Sequence, residues 1–252
     1  MGEKEPSPVE GKGKVKPSLP KRFYKDVAVT DDGAGAALLL DGKTVRTPSK
    51  APLVLPTRAL AEAVADEWRA QGVRIDPTTM PLTKLANSAI DGVAGREQAV
   101  IDDIVKHAAS DLVCYRAPGP PGLVAAQTKH WDPVLAFAKD TLAAPLKRGQ
   151  VVVHVAQPQA SLDRIGQALA GRDAFSLAAL HVMTALTGSA LLALAVASGQ
   201  MSPQQAWDAA HVEEDWQISQ WGEDGEAAER RANRQRDFAA ASRVLSLVNP
   251  SP

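Results

Sequence analysis

The chain has 252 residues, of which 45% are apolar and 4% aromatic, and its formal net charge is −1. This length and composition allow a sizeable core, in one large domain or two small ones. The near-neutral charge excludes an overall electrostatic field that would select nucleic acid or an anionic membrane. The single cysteine, Cys114, excludes an internal disulfide and is typical of a reducing compartment.

The first 20 residues predict a disordered arm, because Gly, Pro, Lys and Ser dominate them. They contain no apolar stretch of the kind that a secretory signal requires. Their glutamates, Glu3, Glu5 and Glu10, also argue against an organelle transit peptide.

Residues 23–55 predict a small antiparallel sheet of short strands separated by turn signals. Asp41-Gly42 is the strongest of these signals, because a type I′ hairpin turn needs positive φ at both positions. A helix over 57–72 follows, with Thr57 as its N-cap and Trp68 on the apolar face that would lie on the sheet. The predicted strands cover residues 26–30, 37–40, 44–47 and 53–55.

The remainder of the chain predicts helices, with the apolar run 151–155 as one further strand candidate. The fold class is therefore α+β. We expect a small N-terminal α/β layer domain over residues 21–90, with antiparallel strands plus a helix, and a helical orthogonal-bundle domain over 91–252. The predicted helices cover residues 81–91, 95–109, 123–143, 161–170, 174–198, 202–221 and 226–248.

The stretch from Ala174 to Trp207 contains no Asp, Glu, Lys or Arg. It also contains His181, Thr184 and Gly188 near its middle and is rich in alanine, which is only weakly hydrophobic. These features favour two buried helices joined near Gly188, or one long core helix, and we expect no membrane insertion.

No recognised catalytic motif is present: the chain lacks a phosphate loop, a nucleophile elbow and a His-Glu-x-x-His metal motif. We therefore expect no cofactor. The alternative is an enzyme with an unrecognised site near Cys114 and His107, or around His211, Glu214 and Asp215. Helical pairs such as His211 and Asp215 supply only two metal ligands, whereas a site needs three or four.

The tryptophan-rich segment predicts a helix over 202–221 that is apolar on two sides. Two apolar faces indicate either full burial or a face reserved for a partner. Glu214 lies inside the stripe and needs an arginine, a backbone donor or a partner, whereas Glu213 lies beyond its edge and should be more accessible. At about 100° per residue the stripe contains Trp207, His211, Glu214, Ile218 and Trp221, and Trp216 points the opposite way.

Three segments, in collinear order over about residues 21–248, resemble the family of assembly chaperones that bind the alpha subunit of F-type ATP synthase. The first is Arg22-Phe23-Tyr24-Lys25. The second covers residues 67–91 and includes Glu67-Trp68 and Met80-Pro81-Leu82. The third covers residues 213–224 and begins Glu213-Glu214-Asp215-Trp216-Gln217.

The resemblance implies a non-enzymatic chaperone that holds the free alpha subunit, and prevents its aggregation, until the beta subunit replaces it. Glu213 and Glu214 match a segment associated with function in the family, so we predict Glu213, Glu214 and Trp216 as partner-binding residues. We also expect a monomer, and no nucleic-acid partner. It would be located in the bacterial cytoplasm, and in the mitochondrial matrix for eukaryotic relatives.

Overall fold

The computed structural model describes residues 19–33, 35–150 and 154–249 and confirms the α+β fold. The strands of the main sheet are β1 Val27–Asp31, β2 Ala36–Leu40, β3 Lys43–Thr44 and β4 Val54–Leu55. All pairs are antiparallel, and β2 lies between β1 on one side and β3 and β4 on the other.

The predicted hairpin at Asp41-Gly42 is confirmed. These residues join β2 to β3 and have φ values of 47° and 77°. Helix α1 (Arg58–Arg69) covers the sheet, and the Thr57 side chain caps it by accepting a hydrogen bond of 3.1 Å from the Leu60 amide. Trp68 is only partly buried and packs edge-on against Tyr24, at 5.6 Å between ring centroids.

The helical part follows the predicted order with two interruptions. Gly188, with a left-handed φ of 67°, ends α6 and separates it from α7, and His211 separates α8 from α9. The helices are α2 Pro81–Ser88, which continues into a π turn over Ala89–Val93, α3 Glu97–Ala108, α4 Pro121–Asp140, α5 Gln159–Leu169, α6 Ala174–Thr187, α7 Ala190–Ala197, α8 Pro203–Ala210, α9 Val212–Trp221 and α10 Gly225–Val248.

The strand candidate at the apolar run 151–155 falls mainly outside the described residues, which omit 151–153; residues 154 and 155 have no regular structure. Two short strands, β5 (Tyr115–Arg116) and β6 (Gly149–Gln150), form a parallel pair. This pair joins the chain before α4 to the chain before α5.

The uncharged stretch forms α6 and α7, whose leucines Leu177, Leu180, Leu191 and Leu192 are fully buried. Within the described residues, none of the helices combines the length and the apolar content needed to cross a membrane. One hydrophobic cluster extends from Ala36 to Leu245 and so includes side chains from both sides of residue 90. The domain division at that residue stays a prediction.

The predicted N-terminal arm extends two residues too far. The Pro20 carbonyl accepts a hydrogen bond of 2.9 Å from the Ile75 amide, and the Arg74 guanidinium donates to the Leu19 carbonyl. Residues 19 and 20 are therefore held against the body of the protein. Residues 1–18 lie outside the described residues.

Candidate partner-binding site

The tryptophan-rich segment is two helices, and the prediction of one helix over 202–221 is wrong. His211 has φ −112° and ψ 16°, so α8 ends before it and α9 starts after it. Its ring lies on that of Trp207, at 3.9 Å between centroids, and its Nδ1 lies 2.8 Å from the Trp207 carbonyl oxygen. Burial lowers the pKa of His211, which keeps the ring neutral at physiological pH.

The break separates side chains that an unbroken helix would place together. Trp207 on α8 is 2% exposed and packs against Phe238 of α10, whereas Trp221 at the end of α9 is 80% exposed. Trp221 is therefore not part of the core-facing stripe. The helical period carries no information across His211, because the backbone there is not helical.

The three consecutive acids at the start of α9 have different partners. Glu214 lies 3.3 Å from Arg234, and Asp215 lies 2.5 Å from Arg231. Both arginines come from α10. Within the residues that the structure describes, no Lys or Arg nitrogen lies within 4.0 Å of a carboxylate oxygen of Glu213.

Glu213 instead contacts a buried amide. Gln127 of α4 is fully buried, and its Nε2 donates a hydrogen bond of 2.7 Å to Glu213 Oε1. Gln127 Oε1 in turn accepts a hydrogen bond of 2.9 Å from the Ala117 amide. The side chain of Glu213 is thus held in place while its charge is left without a cation. Glu213 is also more exposed than Glu214, as predicted.

Trp216 is half-buried. The sequence predicted that it points away from the stripe and is available to a partner, but part of its ring contacts α4. Its indole ring lies against Gly122 in the first turn of α4, where a Cβ atom would come within 2.3 Å of Trp216 Cη2. Only glycine permits this approach, since real Cβ atoms keep a larger separation. Trp216 therefore joins α9 to α4 and has only part of its surface available to a partner.

An open groove of about 610 Å³ lies between the chain leading into α4 and the outer face of α9. We call it the α4–α9 groove. Among the described residues that line it, Glu213 alone is ionisable. The lining residues are Ala117, Pro118, Pro120, Leu123, Glu213, Trp216, Gln217, Gln220 and Trp221.

Trp221 also borders a second groove, of about 300 Å³, on its other side. That groove contains the carboxylates of Glu214, Glu223 and Asp224 together with Arg231, which is paired with Asp215. Trp221 is thus an exposed ridge between two grooves with carboxylates in their walls. The sequence reasoning missed it as a surface residue, although Gly222-Glu223-Asp224 directly after it is a helix-end and loop signal.

Comparison with known proteins decides the family. The family model "ATP12 chaperone protein" matches residues 21–139. The chain is 50% identical to the Atu1473 protein of Agrobacterium tumefaciens, with a TM-score of 0.88 over 92% of this chain and 87% of that one. It is 39% identical to Atp12 of Paracoccus denitrificans, with a TM-score of 0.85 over 91% of this chain and 99% of that one. The chain belongs to the ATP12 chaperone family.

Among curated proteins, the mitochondrial protein atp12 of Schizosaccharomyces pombe is 22% identical over 239 residues, which are 90% of this chain and 82% of that protein. The family resemblance stated from sequence is confirmed. This ATP12-family protein is a chaperone of ATP synthase assembly and not an enzyme. The family model ends at residue 139, so it includes the α4 side of the α4–α9 groove and not α9.

In this ATP12-family chain, Cys114 and His107, which were considered for an enzymatic site, are held by burial and by a contact within a helix. Cys114 is fully buried, and burial raises the pKa of its thiol to about 12, so the nucleophilic thiolate does not form near neutral pH. His107 contacts the Asp103 carbonyl of its own helix at 2.9 Å. Within the described ranges, no three His, Cys, Asp or Glu side chains are grouped so that they could hold a metal ion.

Proposed function

We propose that this ATP synthase assembly chaperone binds the free alpha subunit, and that the α4–α9 groove is part of the contact surface. The protein would cover an alpha-subunit surface that is apolar when exposed, as surfaces of obligate interfaces generally are. It would be released when the beta subunit occupies the same surface. A temporary cap must bind less tightly than the final neighbour does.

The observation that carries this proposal is the state of Glu213. Among the residues that the structure describes, it is the one acid of the Glu213-Glu214-Asp215 run without an arginine partner, and it borders a groove whose other described lining residues are uncharged. An unneutralised carboxylate beside exposed apolar surface is typical of an interaction site.

The three predicted partner-binding residues take different parts in the proposal. Glu213 contacts the alpha subunit directly. Trp216 supplies apolar groove wall and holds α9 against α4. Glu214 acts mainly by fixing α9 to α10 through Arg234. We further propose that the chaperone works as a monomer in the bacterial cytoplasm.

Co-purification tests the proposal. The tagged full chain and the ATP synthase alpha subunit are co-expressed, and the soluble alpha subunit recovered with the tag is measured. Recovery with the wild-type chain, and release of the alpha subunit on addition of purified beta subunit, are expected. Glu213→Gln is the test variant and Glu229→Gln is its matched control. Glu229 is an exposed acid of α10 that lines neither groove.

Equal recovery with both variants would remove the α4–α9 groove from the contact surface. Failure of the wild-type chain to retain the alpha subunit would overturn the proposal as a whole.

A further inference from the structure

Trp221 is the exposed large apolar side chain that borders both grooves. The described residues contain four exposed large hydrophobics, and the other three are Leu19, Phe23 and Val73 at the N-terminal end of the fold. An indole that is 80% exposed contributes little to folding. The indole contributes favourable burial free energy only when a binding partner covers it. Tryptophan is among the residues most often responsible for binding energy at interfaces.

The wall beside Trp221 combines apolar surface with acceptor groups. Gln217, Gln220 and Trp221 lie about one or two turns after Glu213 on the same face of α9. Glu213 Oε1 is taken by Gln127, whereas no hydrogen bond to Oε2 is made by the residues that the structure describes. One carboxylate oxygen in the groove that the exposed indole borders is therefore free to accept hydrogen bonds.

Charge complementarity indicates what occupies this groove. In the part of the chain that the structure describes, Glu213 is the one charged residue lining it, and the neighbouring groove adds Glu214, Glu223 and Asp224. The cation there, Arg231, is paired with Asp215. An anionic or purely apolar occupant would leave the Glu213 charge unpaired and partly desolvated, which is costly.

We propose that the α4–α9 groove takes an apolar segment of the alpha subunit that presents an arginine to the wall formed by Glu213 and Trp221. The proposal rests on the proposed function and adds the chemistry of the bound segment. Arginine fits better than lysine, because its planar guanidinium is attracted to the face of an aromatic ring and also donates charge-assisted hydrogen bonds to a carboxylate. An apolar neighbour of the arginine packs on Trp216 and Leu123.

The experiment measures the dissociation constant of the full chain and purified alpha subunit, at two salt concentrations. Trp221→Phe keeps an aromatic face, Trp221→Leu keeps only apolar bulk, and Glu213→Gln keeps an acceptor for Gln127 without the charge. Phe23→Ala is the control for loss of an exposed aromatic outside the grooves, and Glu229→Gln for loss of an exposed acid.

We expect Trp221→Leu to weaken binding about tenfold and Trp221→Phe about threefold or less. Glu213→Gln should weaken binding and reduce its salt dependence, and both controls should match the wild type. Unchanged binding by Trp221→Leu would overturn the inference. So would a loss with Trp221→Leu that is accompanied by no effect of Glu213→Gln or of salt, since the occupant would then be apolar only. In both cases the proposed function stands as long as the wild-type chain binds the alpha subunit. If the wild-type chain does not bind it, the proposed function itself is overturned.

Discussion

Gln127 Nε2 on α4 donates a hydrogen bond of 2.7 Å to Glu213 Oε1 on α9, across 86 positions of sequence. The same amide accepts from the Ala117 backbone, so one fully buried side chain ties both walls of the α4–α9 groove together. Gln127 is therefore a positioning residue. It fixes the carboxylate that we place in contact with the alpha subunit.

Replacing Gln127 tests this role. Gln127→Leu removes the partner of a backbone amide and of a carboxylate, and we expect it to lower the free energy of unfolding by about 1–3 kcal/mol. Alpha-subunit binding should weaken as well, because Glu213 is no longer held. Urea denaturation and co-purification measure the two effects. Gln98→Leu, at an exposed glutamine of α3, is the control, and equal stability of the two variants would contradict the role of Gln127.

Two substitutions of Glu213 should differ in stability. Sequence alone predicts that Glu213→Lys leaves stability nearly intact. The structure revises this, because a lysine cannot accept the Gln127 hydrogen bond and the buried amide loses its partner. We expect a loss of about 1 kcal/mol, or a fall in melting temperature of about 2–4 °C. Glu213→Gln keeps an acceptor and should melt like the wild type. If the two variants have the same melting temperature, the Gln127 contact does not contribute to stability.

Removing the charge of Glu214 should lower the stability of the protein only slightly. The pair with Arg234 is partly exposed, and such pairs contribute about 0–1 kcal/mol. Glu214→Gln should therefore cost less than about 1 kcal/mol. Glu214→Lys should cost more, because it places a cation beside Arg234 and near buried His211. Adding Arg234→Glu to Glu214→Lys should restore part of the loss in thermal melting, and no recovery would show that the pair is not the cause.

Gly122 should not tolerate a methyl group. The Cβ of Gly122→Ala would lie 2.3 Å from the Trp216 ring, so either the indole or α9 must move. We expect a loss of about 1–3 kcal/mol, partly recovered when Trp216→Leu is added. Gly166→Ala is the matched control, since Gly166 also lies in a helix but its Cβ would meet ordinary contact at 3.6 Å. Alanine there should stabilise the helix by up to about 1 kcal/mol.

Asp111 should give the protein a measurable pH dependence. It is fully buried, and its two carboxylate oxygens accept hydrogen bonds from the Val113 and Leu191 amides at 3.2 and 3.1 Å. Burial raises its pKa to about 6, above the ordinary 3.8 that the unfolded chain retains. The folded state therefore takes up the proton first, and this residue's contribution to stability increases as pH falls from above 6 toward 4.

The measurement is urea denaturation of the wild type and Asp111→Asn at pH 7.5 and pH 4.5. Because one pKa unit corresponds to about 1.4 kcal/mol and pH 4.5 lies about 1.5 units below the folded pKa, the wild type should gain about 2 kcal/mol relative to the variant at the lower pH. Parallel stability profiles of the two proteins would show that Asp111 does not titrate in this range.

Local signals in the sequence predicted the elements whose causes are local. The Asp41-Gly42 turn and the Thr57 cap of α1 both formed as their residues required. Each depends on backbone conformation or on hydrogen bonds within a few residues. The family was also evident from sequence, because its motifs are collinear along most of the chain.

The tertiary structure decided what the site residues contact. Periodicity placed Trp207 and Trp221 on one stripe, but the break at His211, where the ring packs on Trp207, buries the first and exposes the second. Sequence predicted that Glu213 is more accessible than Glu214, but it could not assign the arginine partners of Glu214 and Asp215, since Arg234 and Arg231 lie on another helix. Which of these carboxylates lacks an ion-pair partner among the described residues depends on how α4, α9 and α10 pack together. Packing between helices that are far apart in sequence cannot be read from the local periodicity of the sequence.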